Sequence, residues 1–402
     1  MDIKERSNCR VSKGSLTDVM TLGFLPFSSF PSSKDPIPKS LPLTLCLNQE
    51  SGLLQLRHSV NPDQMYSQYW YMSGVNQSMR EALKSIVAEA LFRKRVKAGD
   101  IVVDIASNDG TLLEAYPKDL YRIGIDPAKN IKPRGCDLHI NTYFSAAAYK
   151  EQMGDKKAEI VTSIAMFYDL EDPIEFCKDL ASILQEDGLW IIELSYLPTM
   201  LKKNSFDTIC SEHLEYYSLQ SMEYIFARSG FEAEDVELNE VNGGSFRLYV
   251  RKRGQAVPTK ALFALRESEK SLHLADPKTY REFAKRIDKN RKEMLFFLKE
   301  QKKAGKKVIG YGASTKGNTI MAYYGIAPDL LPFVADRNPI KHGLQTVTKI
   351  PIISEEEARK MQPDFFLAFP YHFMQEFLSR EKEFIQRGGK FISPIPHLTL
   401  IP

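Results

Sequence analysis

The chain has 402 residues, which is long enough for about two or three domains that each bury a hydrophobic core. Lys and Arg total 54 against 51 Asp and Glu, and this near-balance excludes a dedicated binder of nucleic acid or of anionic membranes. Hydrophobic residues make up 43% of the chain and charged residues 26%, which is usual for globular proteins and excludes global disorder.

The sequence begins without an apolar leader segment, and no apolar run approaches the roughly 20 residues that span a bilayer. We therefore expect a cytoplasmic protein with no membrane or nucleic-acid partner. Its five cysteines are scattered and include no C-x-x-C pair, which fits a reducing compartment. They predict no metal site.

Residues 1 to about 80 are rich in Ser, Pro and short apolar pieces, which predicts short strands and turns in an irregular cap. From Asn76 apolar residues recur at three- and four-residue spacing, which predicts an amphipathic helix. The elements predicted next are, in chain order, a strand over 101–105, a small-residue turn, a helical stretch around Leu112 and Leu113, and strands over 122–125, 159–164 and 189–194. This alternation predicts a parallel sheet with helices on both faces.

The pattern changes again towards the C-terminus. Apolar and polar residues alternate over 246–250, which predicts an antiparallel edge strand. A long amphipathic helix over 277–304 ends at Gly305, and a unit of strand, glycine turn, helix and strand follows over 307–336. These changes predict three domains, over residues 1–75, 76–254 and 255–402.

A loop of short residues follows the first strand of the central sheet. Asp104 precedes Ala106, Asn108 and Gly110 where the chain must reverse, and small side chains there let the backbone approach a ligand. Asp126 ends the next strand, where a carboxylate can accept bonds from both hydroxyls of a ribose. The pair predicts an adenosine site, and the early carboxylate favours a ligand with a positive end, such as S-adenosylmethionine (SAM). The alternative is a set of ordinary loop and cap residues.

The chain carries an ordered set of motifs, which are Asp104-Ile-Ala-Ser-Asn-Asp-Gly-Thr-Leu-Leu113, Gly124-Ile-Asp-Pro127, Met166-Phe-Tyr-Asp-Leu-Glu-Asp-Pro173, Asp207-Thr-Ile-Cys-Ser-Glu-His-Leu-Glu-Tyr-Tyr217, Asn242-Gly-Gly-Ser245 and Gly310-Tyr-Gly-Ala-Ser-Thr-Lys-Gly-Asn318. Over about residues 9 to 398, this set resembles the SAM-dependent sugar C-methyltransferase family. Members methylate nucleotide-linked 4-keto-deoxysugars, typically at carbon 3. The resemblance implies an α/β protein with a small irregular N-terminal domain, a central Rossmann-like SAM domain and a C-terminal Rossmann-like domain that helps to hold the nucleotide sugar.

The resemblance also implies site residues, position by position. SAM is the implied cofactor, and the residues that match the cofactor-binding positions are Asp104, Ala106, Asn108, Gly110, Asp126, Pro127, Phe144, Ser163 and Ile164. Of these, Phe144, Ser163 and Ile164 are expected to flank the adenine. The residues implied to bind the nucleotide-linked keto-deoxysugar are Tyr69, Tyr71, Gly244, Ser245, Ser314, Thr315, Lys316 and Asn318.

The chain departs from the family at the N-terminal zinc site. The family commonly uses two C-x-x-C pairs, whereas the first pair here keeps Cys9 but has Ser12, and Asn48 and Ser51 align with the second. One thiolate does not make a tight tetrahedral site, so we predict no structural zinc. The alternative is a metal held by Cys9 and Cys46, although Cys46 is out of register with the second pair. Some members also have Tyr and His where this chain has Cys210 and Tyr168.

Methylation of a sugar carbon requires a carbanion, and therefore a base and a group that stabilises charge on the ketone oxygen. His213 is the candidate base because a neutral imidazole suits proton abstraction near pH 7. A structural histidine in a polar loop is the alternative. Glu212 is expected to hold substrate or tune the site. Tyr69, Tyr71 and Tyr168 are candidates for stabilising the enolate oxygen, or are aromatic core residues.

The second glycine loop suits a diphosphate. Gly312 and the amides of residues 313–317 stand at a predicted helix start, where Lys316 adds a positive charge. The glycine spacing differs from G-x-G-x-x-G, so an NAD site is less favoured. Arg337 and Lys341 are further phosphate-binding candidates, with ordinary solvated charges as the alternative.

Three functions stay open from the sequence. The leading one is transfer of a methyl group from SAM to carbon 3 of a nucleotide-linked 4-keto-6-deoxysugar, through an enolate, in the biosynthesis of a branched-chain deoxysugar. The second places the methyl group on an oxygen or nitrogen of a small molecule. The third is a module that binds SAM or a nucleotide sugar without catalysis. The intact His213 favours the first.

Overall fold

A computed structural model describes residues 3–66 and 71–402. The first part of the chain consists mainly of strands. Its elements are β1 (Lys4–Glu5), β2 (Thr17–Pro26), β3 (Ser40–Asn48), β4 (Leu53–Leu56), β5 (His58–Ser59) and α1 (Asp63–Tyr66).

Helices and strands alternate in the middle part, as predicted. Its elements are α2 (Gln77–Arg93), β6 (Ile101–Ile105), β7 (Tyr121–Ile125), β8 (Leu138–Ile140), α3 (Ala146–Met153), β9 (Ala158–Ile164), α4 (Pro173–Ile183), β10 (Leu184–Ser195), α5 (Leu197–Lys203), β11 (Glu215–Tyr216), α6 (Leu219–Ser229), β12 (Phe231–Asn239) and β13 (Ser245–Lys252). The central sheet has the order β12-β13-β10-β9-β6-β7-β8, and β6 to β10 run parallel within it. The direction of strand addition reverses between β6 and β9, and ligands of such sheets bind beyond the strands' carboxyl ends at this point.

A second α/β unit forms the last part of the chain. Its elements are α7 (Lys260–Lys270), α8 (Pro277–Lys303), β14 (Val308–Tyr311), α9 (Thr315–Tyr324), β15 (Val334–Asp336), β16 (Ile352–Ser354), α10 (Glu355–Lys360), β17 (Phe365–Ala368), α11 (Met374–Arg380), α12 (Lys382–Gln386), β18 (Lys390–Ser393) and β19 (Thr399–Ile401). The sheet order is β16-β15-β14-β17-β18-β19, with antiparallel pairing only between β18 and β19 among the strands described. Here the order reverses between β14 and β17.

The N-terminal strands pair with a strand from the middle of the chain. Their sheet has the order β11-β4-β3-β2, and the backbone amide of Leu56 donates to the carbonyl of Leu214, beside His213. Apolar side chains of β2 and β3 pack in one core with the buried stripe of α8, which includes Tyr280 and Phe283. The N-terminal segment therefore fixes the backbone on which the candidate base lies.

The structure corrects two details of the predicted elements. The 246–250 strand, within β13, is antiparallel, but the edge position is wrong because β12 lies outside it. The helical stretch near Leu113 is only the 3₁₀ turn Leu113–Ala115, since Pro117 forces the preceding residue into an extended conformation. No helix in the described ranges is both long and apolar enough to cross a membrane.

Candidate active site

The first glycine loop makes a tight turn at the carboxyl end of β6. Ala106, Asn108 and Gly110 have φ values of 58°, 51° and 77°, in the left-handed region that most residues avoid. A Cβ atom on Gly110 would lie 1.8 Å from the carbonyl oxygen of Arg134, so only glycine fits there. The glycine therefore lets the Arg134 backbone pack against this turn, beside the crevice between β6 and β9.

Asp126 follows β7 and holds this loop in place. Its Oδ2 accepts a hydrogen bond from the Asn108 amide at 2.8 Å, and its Oδ1 accepts one from the Ala128 amide at 2.8 Å. Each carboxylate oxygen has a second lone pair, so both remain able to accept a hydroxyl. Pro127 follows directly and is partly exposed beside the carboxylate.

Asp104 is a buried carboxyl at the end of β6. Its Oδ1 accepts a hydrogen bond from Thr162 Oγ1 at 2.6 Å. Burial raises the pKa of Asp104 to about 7 against the effect of that hydrogen bond, and the charge of Asp126 raises it further. A positive group beside Asp104 would stabilise its charged form.

The residues expected at the adenine lie at two places around the carboxyl end of β9. Phe144 is half-buried, with its ring edge-on to Phe176 at a centroid distance of 5.1 Å. Ile164 is half-buried at the last position of β9. The structure turns the Ser163 hydroxyl elsewhere: it accepts a hydrogen bond from the buried Trp190 Nε1 at 2.9 Å, because alternate residues of a strand face opposite sides.

The segment that begins at Tyr71 covers the first loop. The Ser73 amide donates to Asn108 Oδ1 at 3.0 Å, and Asn108 Nδ2 donates to the Tyr71 carbonyl at 3.0 Å. Tyr71 therefore lies next to the cofactor loop, with 45% of its surface exposed. The other expected sugar contact in this segment, Tyr69, lies outside the described residues.

His213 stands between the 3₁₀ turn Phe206–Thr208 and β11. Its Nδ1 lies 2.9 Å from the carbonyl oxygen of Thr208. Because a carbonyl only accepts, Nδ1 carries the proton and Nε2 carries the lone pair. Burial lowers the pKa of His213 to about 4, the charge of Lys316 lowers it further, and the Thr208 carbonyl opposes both. The imidazole is therefore neutral at pH 7.

Tyr168 and Glu212 flank the imidazole. The ring of Tyr168 lies against that of His213, with centroids 4.3 Å apart. Glu212 Oε2 accepts a hydrogen bond from Ser211 Oγ at 3.2 Å, and burial raises the pKa of Glu212. The Glu212 carbonyl accepts a bond from Tyr66 Oη at 3.3 Å. The candidate base thus has an aromatic neighbour on one side and a carboxyl on the adjoining residue.

The second glycine loop uses some of its own amides. The Ala313 amide donates to Asp336 Oδ2 at 2.8 Å, and the Gly317 amide donates to the capping hydroxyl of Ser314 at 2.9 Å. The Thr315 carbonyl accepts a bond from Ser28 Oγ at 3.3 Å. Hydrogen bonds within the fold therefore engage part of the donor set that the sequence assigned to a diphosphate.

Lys316 joins the second loop to the glycine pair before β13. Its Nζ donates to the Asn242 carbonyl at 2.8 Å. Gly244 has φ 130°, and a Cβ atom there would lie 2.3 Å from Thr199 Cγ2. The glycine lets this loop pass close to α5. Its neighbour Ser245 is buried, and its hydroxyl donates to the Val241 carbonyl at 2.9 Å rather than facing a ligand.

Asn318 is also turned away from the crevice. It is 1% exposed, and its Nδ2 donates to the Ser29 carbonyl at 3.0 Å and to Ser28 Oγ at 3.2 Å. Both bonds tie α9 to the N-terminal segment. The structure thus gives Asn318 structural partners in place of the expected substrate contact.

The two further phosphate candidates lie in different surroundings. Lys341 Nζ donates to the Ala313 carbonyl at 2.6 Å and lies 3.5 Å from Asp336 Oδ2, so it braces the second loop. Arg337 is exposed and pairs with Glu376 at 3.3 Å. Lys341 therefore supports the second loop through a hydrogen bond, whereas Arg337 is a surface charge.

Three polar residues near Lys316, which are Asp207, Tyr371 and His372, were not assigned to the site from the sequence. Tyr371 Oη lies within hydrogen-bond distance of two acceptors, Asp207 Oδ1 at 3.2 Å and Ser205 Oγ at 3.1 Å. Burial raises the pKa of Asp207, and Lys316 opposes this. Burial and Lys316 together lower the pKa of His372 to about 3. Tyr371 and His372 follow β17 where the C-terminal sheet reverses its order, and the sequence signal for that place is limited to the Pro after an apolar strand.

Comparison with known proteins gives the family. A model described as the C-methyltransferase C-terminal domain matches residues 240–396, and a methyltransferase domain model matches residues 75–236. The chain is 31% identical over 369 residues to the C-methyltransferase NovU of Streptomyces niveus, which covers 90% of this chain and 87% of that protein. The chain belongs to the C-methyltransferase family. It is a SAM-dependent C-methyltransferase with a Rossmann-like central sheet.

Solved methyltransferase structures are similar over less of the chain. The cyclopropane synthase MmaA2 of Mycobacterium tuberculosis is 14% identical, with 45% of this chain and 71% of that chain covered and a TM-score of 0.32. The magnesium protoporphyrin IX methyltransferase of Synechocystis PCC 6803, with bound SAH, is 15% identical, with 44% and 88% covered and a TM-score of 0.33.

The first loop of this C-methyltransferase fits SAM. Asp126 keeps acceptor capacity for ribose hydroxyls beside the tight loop that follows β6. Asp104 is a buried carboxyl that gains from a cationic neighbour, and SAM carries positive charge. The donor and acceptor set is thus of the right chemistry for an adenosine with a charged amino-acid end.

Hydrogen bonds connect the positions that align with zinc ligands in the C-methyltransferase family. Ser12 Oγ donates to Asn48 Oδ1 at 3.0 Å, and Ser51 Oγ donates to the same oxygen at 2.7 Å. Cys9 Sγ lies 3.6 Å from Ser51 Oγ. Within residues 3–66 and 71–402, no group of three or more His, Cys, Asp or Glu side chains is placed to hold a metal ion.

Proposed function

We propose that this C-methyltransferase transfers the methyl group of SAM to carbon 3 of a nucleotide-linked 4-keto-6-deoxysugar, in the biosynthesis of a branched-chain deoxysugar. The motifs quoted from the sequence support this substrate class. The observation that carries the chemistry is the tautomer of His213: Nδ1 is committed to the Thr208 carbonyl, so Nε2 presents a lone pair.

His213 acts as the base. A hydrogen next to a ketone is removable because the negative charge that remains spreads onto the carbonyl oxygen. The neutral imidazole takes this proton on Nε2, while the Thr208 carbonyl holds the ring and its Nδ1 proton in place. When bound, SAM supplies an electrophilic methyl group. The enzyme's remaining task is to align the sugar carbon with that group.

Tyrosine hydroxyls supply the stabilisation of the enolate oxygen. Tyr168, whose ring lies against His213, is the principal candidate, and Tyr71 beside the cofactor loop is the second. A hydroxyl donor aimed at a developing oxygen anion lowers the barrier without gaining or losing a formal charge itself. Tyr69 stays a sequence-based candidate. Glu212 is assigned to tuning the charge of the site, since its carboxyl adjoins the base in the chain.

The nucleotide diphosphate binds at the second glycine loop. Lys316 provides the positive charge at the start of α9, where its Nζ reaches the Asn242 carbonyl and its charge lowers the pKa of His213. A diphosphate anion there would place the attached sugar on the side of His213. Ser314 and Thr315 contribute backbone at the helix start, and Gly244 permits the close approach of the facing loop.

Mass spectrometry of a panel of nucleotide 4-keto-6-deoxysugars incubated with SAM tests the proposal. We expect a gain of one methyl group, with loss of the hydrogen at carbon 3. His213→Asn should lower kcat by at least about 100-fold, as expected for removal of a general base, while SAM affinity stays unchanged. His397→Asn, at an exposed histidine, is the matched control and should retain full activity.

Two results would contradict the proposal. A methyl group found on an oxygen or nitrogen, with carbon 3 still carrying its hydrogen, would exclude carbon methylation of this substrate. Turnover of His213→Asn at the rate of the control would remove His213 from the mechanism.

A further inference from the structure

The carbonyl that holds the candidate base belongs to a short, stiff turn. Thr208, whose carbonyl oxygen lies 2.9 Å from His213 Nδ1, is the last residue of the 3₁₀ turn Phe206–Thr208. The amide and the hydroxyl of Thr208 both donate to the Ser205 carbonyl, at 3.3 and 2.8 Å. Because these bonds tie the turn into one unit, whatever orients the turn also orients the Thr208 carbonyl.

Tyr371 of the C-terminal unit binds this turn through its hydroxyl. Tyr371 Oη lies 3.2 Å from Asp207 Oδ1 and 3.1 Å from Ser205 Oγ. Asp207 is 0% exposed, and its other oxygen, Oδ2, has no hydrogen-bond partner in the described part of the chain. A buried carboxyl is costly without a partner, so the Tyr371 hydroxyl is its main support. Asp207 directly precedes Thr208, and the place of its side chain therefore limits where the Thr208 carbonyl points.

Aromatic packing supports the same turn but gives it less direction. The Phe206 ring lies against those of Tyr323 and Tyr324 at the end of α9, with centroids 5.1 and 5.2 Å apart. Apolar packing is non-directional, whereas a hydrogen bond fixes an angle as well as a distance. The hydroxyl of Tyr371 therefore sets the orientation of a turn that the two tyrosine rings keep in place.

The elements that hold the turn also form the second glycine loop. The helix α9, which ends at Tyr324, begins beside Lys316. Pro370, the residue before Tyr371, lies against the loop, since a Cβ atom on Gly312 would come within 2.5 Å of Pro370 Cγ. One unit thus supplies both the proposed nucleotide site and the support of the carbonyl that faces the base.

We propose that Tyr371 is a positioning residue for proton removal: its hydroxyl orients the turn so that the Thr208 carbonyl keeps the His213 proton on Nδ1 and the lone pair on Nε2. This inference rests on the proposed function. In the step concerned, the carbon–hydrogen bond at carbon 3 breaks, its electron pair enters the enolate, and the proton bonds to Nε2. The Nδ1 proton stays on the Thr208 carbonyl. Tyr371 acts through the turn and exchanges no proton itself.

The first test is the kinetics of Tyr371→Phe, which removes the hydroxyl and keeps the ring. A less firmly held Thr208 carbonyl leaves the His213 ring misaligned for part of the time, so we expect kcat to fall about 10-fold. Exchange of the hydrogen at carbon 3 in heavy water without SAM should fall by the same factor. KM for the nucleotide sugar and the affinity for SAM should stay within about twofold of the wild type, because the lost contact orients the base and not a ligand.

The second test reads the His213 ring directly and needs no substrate. When the Thr208 carbonyl is less well placed, the proton of the neutral ring is free to move to Nε2, which then has no lone pair for the sugar. Nitrogen NMR of protein labelled at its seven histidines distinguishes the two forms, and His213→Asn identifies the signals of His213. We expect the Nδ1-protonated form in the wild type and a shift towards the Nε2-protonated form in Tyr371→Phe.

Tyr324→Phe is the matched control. It makes the same change against the same Phe206 ring, but the Tyr324 hydroxyl has no hydrogen-bond partner within the described ranges. Its kcat and its His213 signals should match the wild type. Ser205→Ala removes one of the two contacts of Tyr371 and should shift the signals in the same direction by a smaller amount. It replaces Tyr371→Phe if that variant does not fold.

The inference is overturned if Tyr371→Phe, or Ser205→Ala in its place, turns over at the wild-type rate, or loses rate while the His213 signals stay unmoved. A raised KM with unchanged kcat would make Tyr371 a substrate contact and would overturn it as well. Failure of the proposed function looks different: the wild type would then methylate no carbon of any ketosugar in the panel, while the His213 signals, recorded without substrate, would still move in Tyr371→Phe.

Discussion

The two glycine loops of this protein are held in the same way, by an aspartate that accepts hydrogen bonds from two backbone amides. In the first, Asp126 accepts from the Asn108 amide at 2.8 Å and from the Ala128 amide at 2.8 Å. In the second, Asp336 accepts from the Ala313 amide at 2.8 Å and from the Asn338 amide at 2.7 Å. Each acid stands at the carboxyl end of the second strand of its unit and fixes the loop that follows the first strand.

The charges around the two loops are opposite. The first has the buried carboxyl Asp104 at its start. The second has Lys316 on its helix and Lys341 against its carbonyl. The same backbone device thus holds one loop with the chemistry of a cationic ligand and one with the chemistry of an anionic ligand. The fold supplies the crevice, and a few side chains decide which ligand enters it.

Glycine substitutions in the two loops should separate the two ligands. Gly110→Ala forces a Cβ atom to 1.8 Å from a backbone oxygen at φ 77°. We expect SAM affinity to fall by at least about 100-fold, on the order of 3 kcal/mol. Gly312→Ala places a Cβ atom 2.5 Å from Pro370 Cγ, and should raise KM for the proposed nucleotide sugar about 10-fold with SAM affinity unchanged. Calorimetry and steady-state kinetics measure both.

Gly254→Ala is the control for these glycine variants. Its φ is 86°, and a Cβ atom there meets no described atom within 4 Å. It should lose about 1 kcal/mol of stability while both ligands bind normally. Loss of both ligands in Gly110→Ala and in Gly312→Ala alike would contradict the assignment of one ligand to each loop.

Removal of a positive charge at the second loop should change the pKa of His213. Lys316→Met removes a charge that lowers the pKa of His213, so the imidazole holds its proton to higher pH and the acid limb of kcat/KM moves up from about 4. KM for the nucleotide sugar should rise about 10-fold. Lys341→Met, at the same loop, should leave the limb in place. Equal shifts in the two variants would show that Lys316 has no special coupling to His213.

At the first loop, pH should change the affinity for SAM. Because the pKa of Asp104 is raised to about 7, its carboxylate is largely lost by pH 6 and largely present at pH 8. We expect SAM to bind about tenfold more tightly at pH 8 than at pH 6. Asp104→Asn should bind weakly and independently of pH. A wild-type affinity that is flat across this range would contradict the role of Asp104.

The smallest effect on activity is expected at Asn318. Asn318→Ala removes its bonds to the Ser29 carbonyl and to Ser28 Oγ, which should cost about 2 kcal/mol of unfolding free energy. KM for the nucleotide sugar should not change, because the side chain faces the N-terminal segment. A raised KM at unchanged stability would restore Asn318 to the substrate site.

Local backbone demands made part of the site readable from the sequence. The tight turn after β6 accepts only glycine at position 110, and it needs the Asp126 carboxylate as a hydrogen-bond acceptor. Both residue types can therefore be recognised at their positions in the sequence. His213 stays a candidate base, predicted from its motif and the chemistry of imidazole. The alternation of strands and helices likewise gave the parallel central sheet.

What the sequence did not predict depends on how distant segments meet. Tyr371 and His372 reach Lys316 because β14 and β17 are neighbours, and strand order is absent from local patterns. The edge assignment of β13 failed because β12 was not recognised: Phe231 and Ala233 alternate with acidic residues, but the register shift between Ala233 and Asp235 breaks the pattern before Val236. The Asn318 hydrogen bonds to Ser28 and Ser29 join residues 290 and 289 positions apart in sequence and therefore have no local signal.

The proposed role of His213 is to remove a proton from the sugar carbon beside the ketone. Deuterium incorporation at that carbon in heavy water without SAM, followed by mass spectrometry, reports this step alone. We expect incorporation by the wild type and none above background by His213→Asn at equal substrate occupancy. Incorporation at the same rate by both proteins would contradict it.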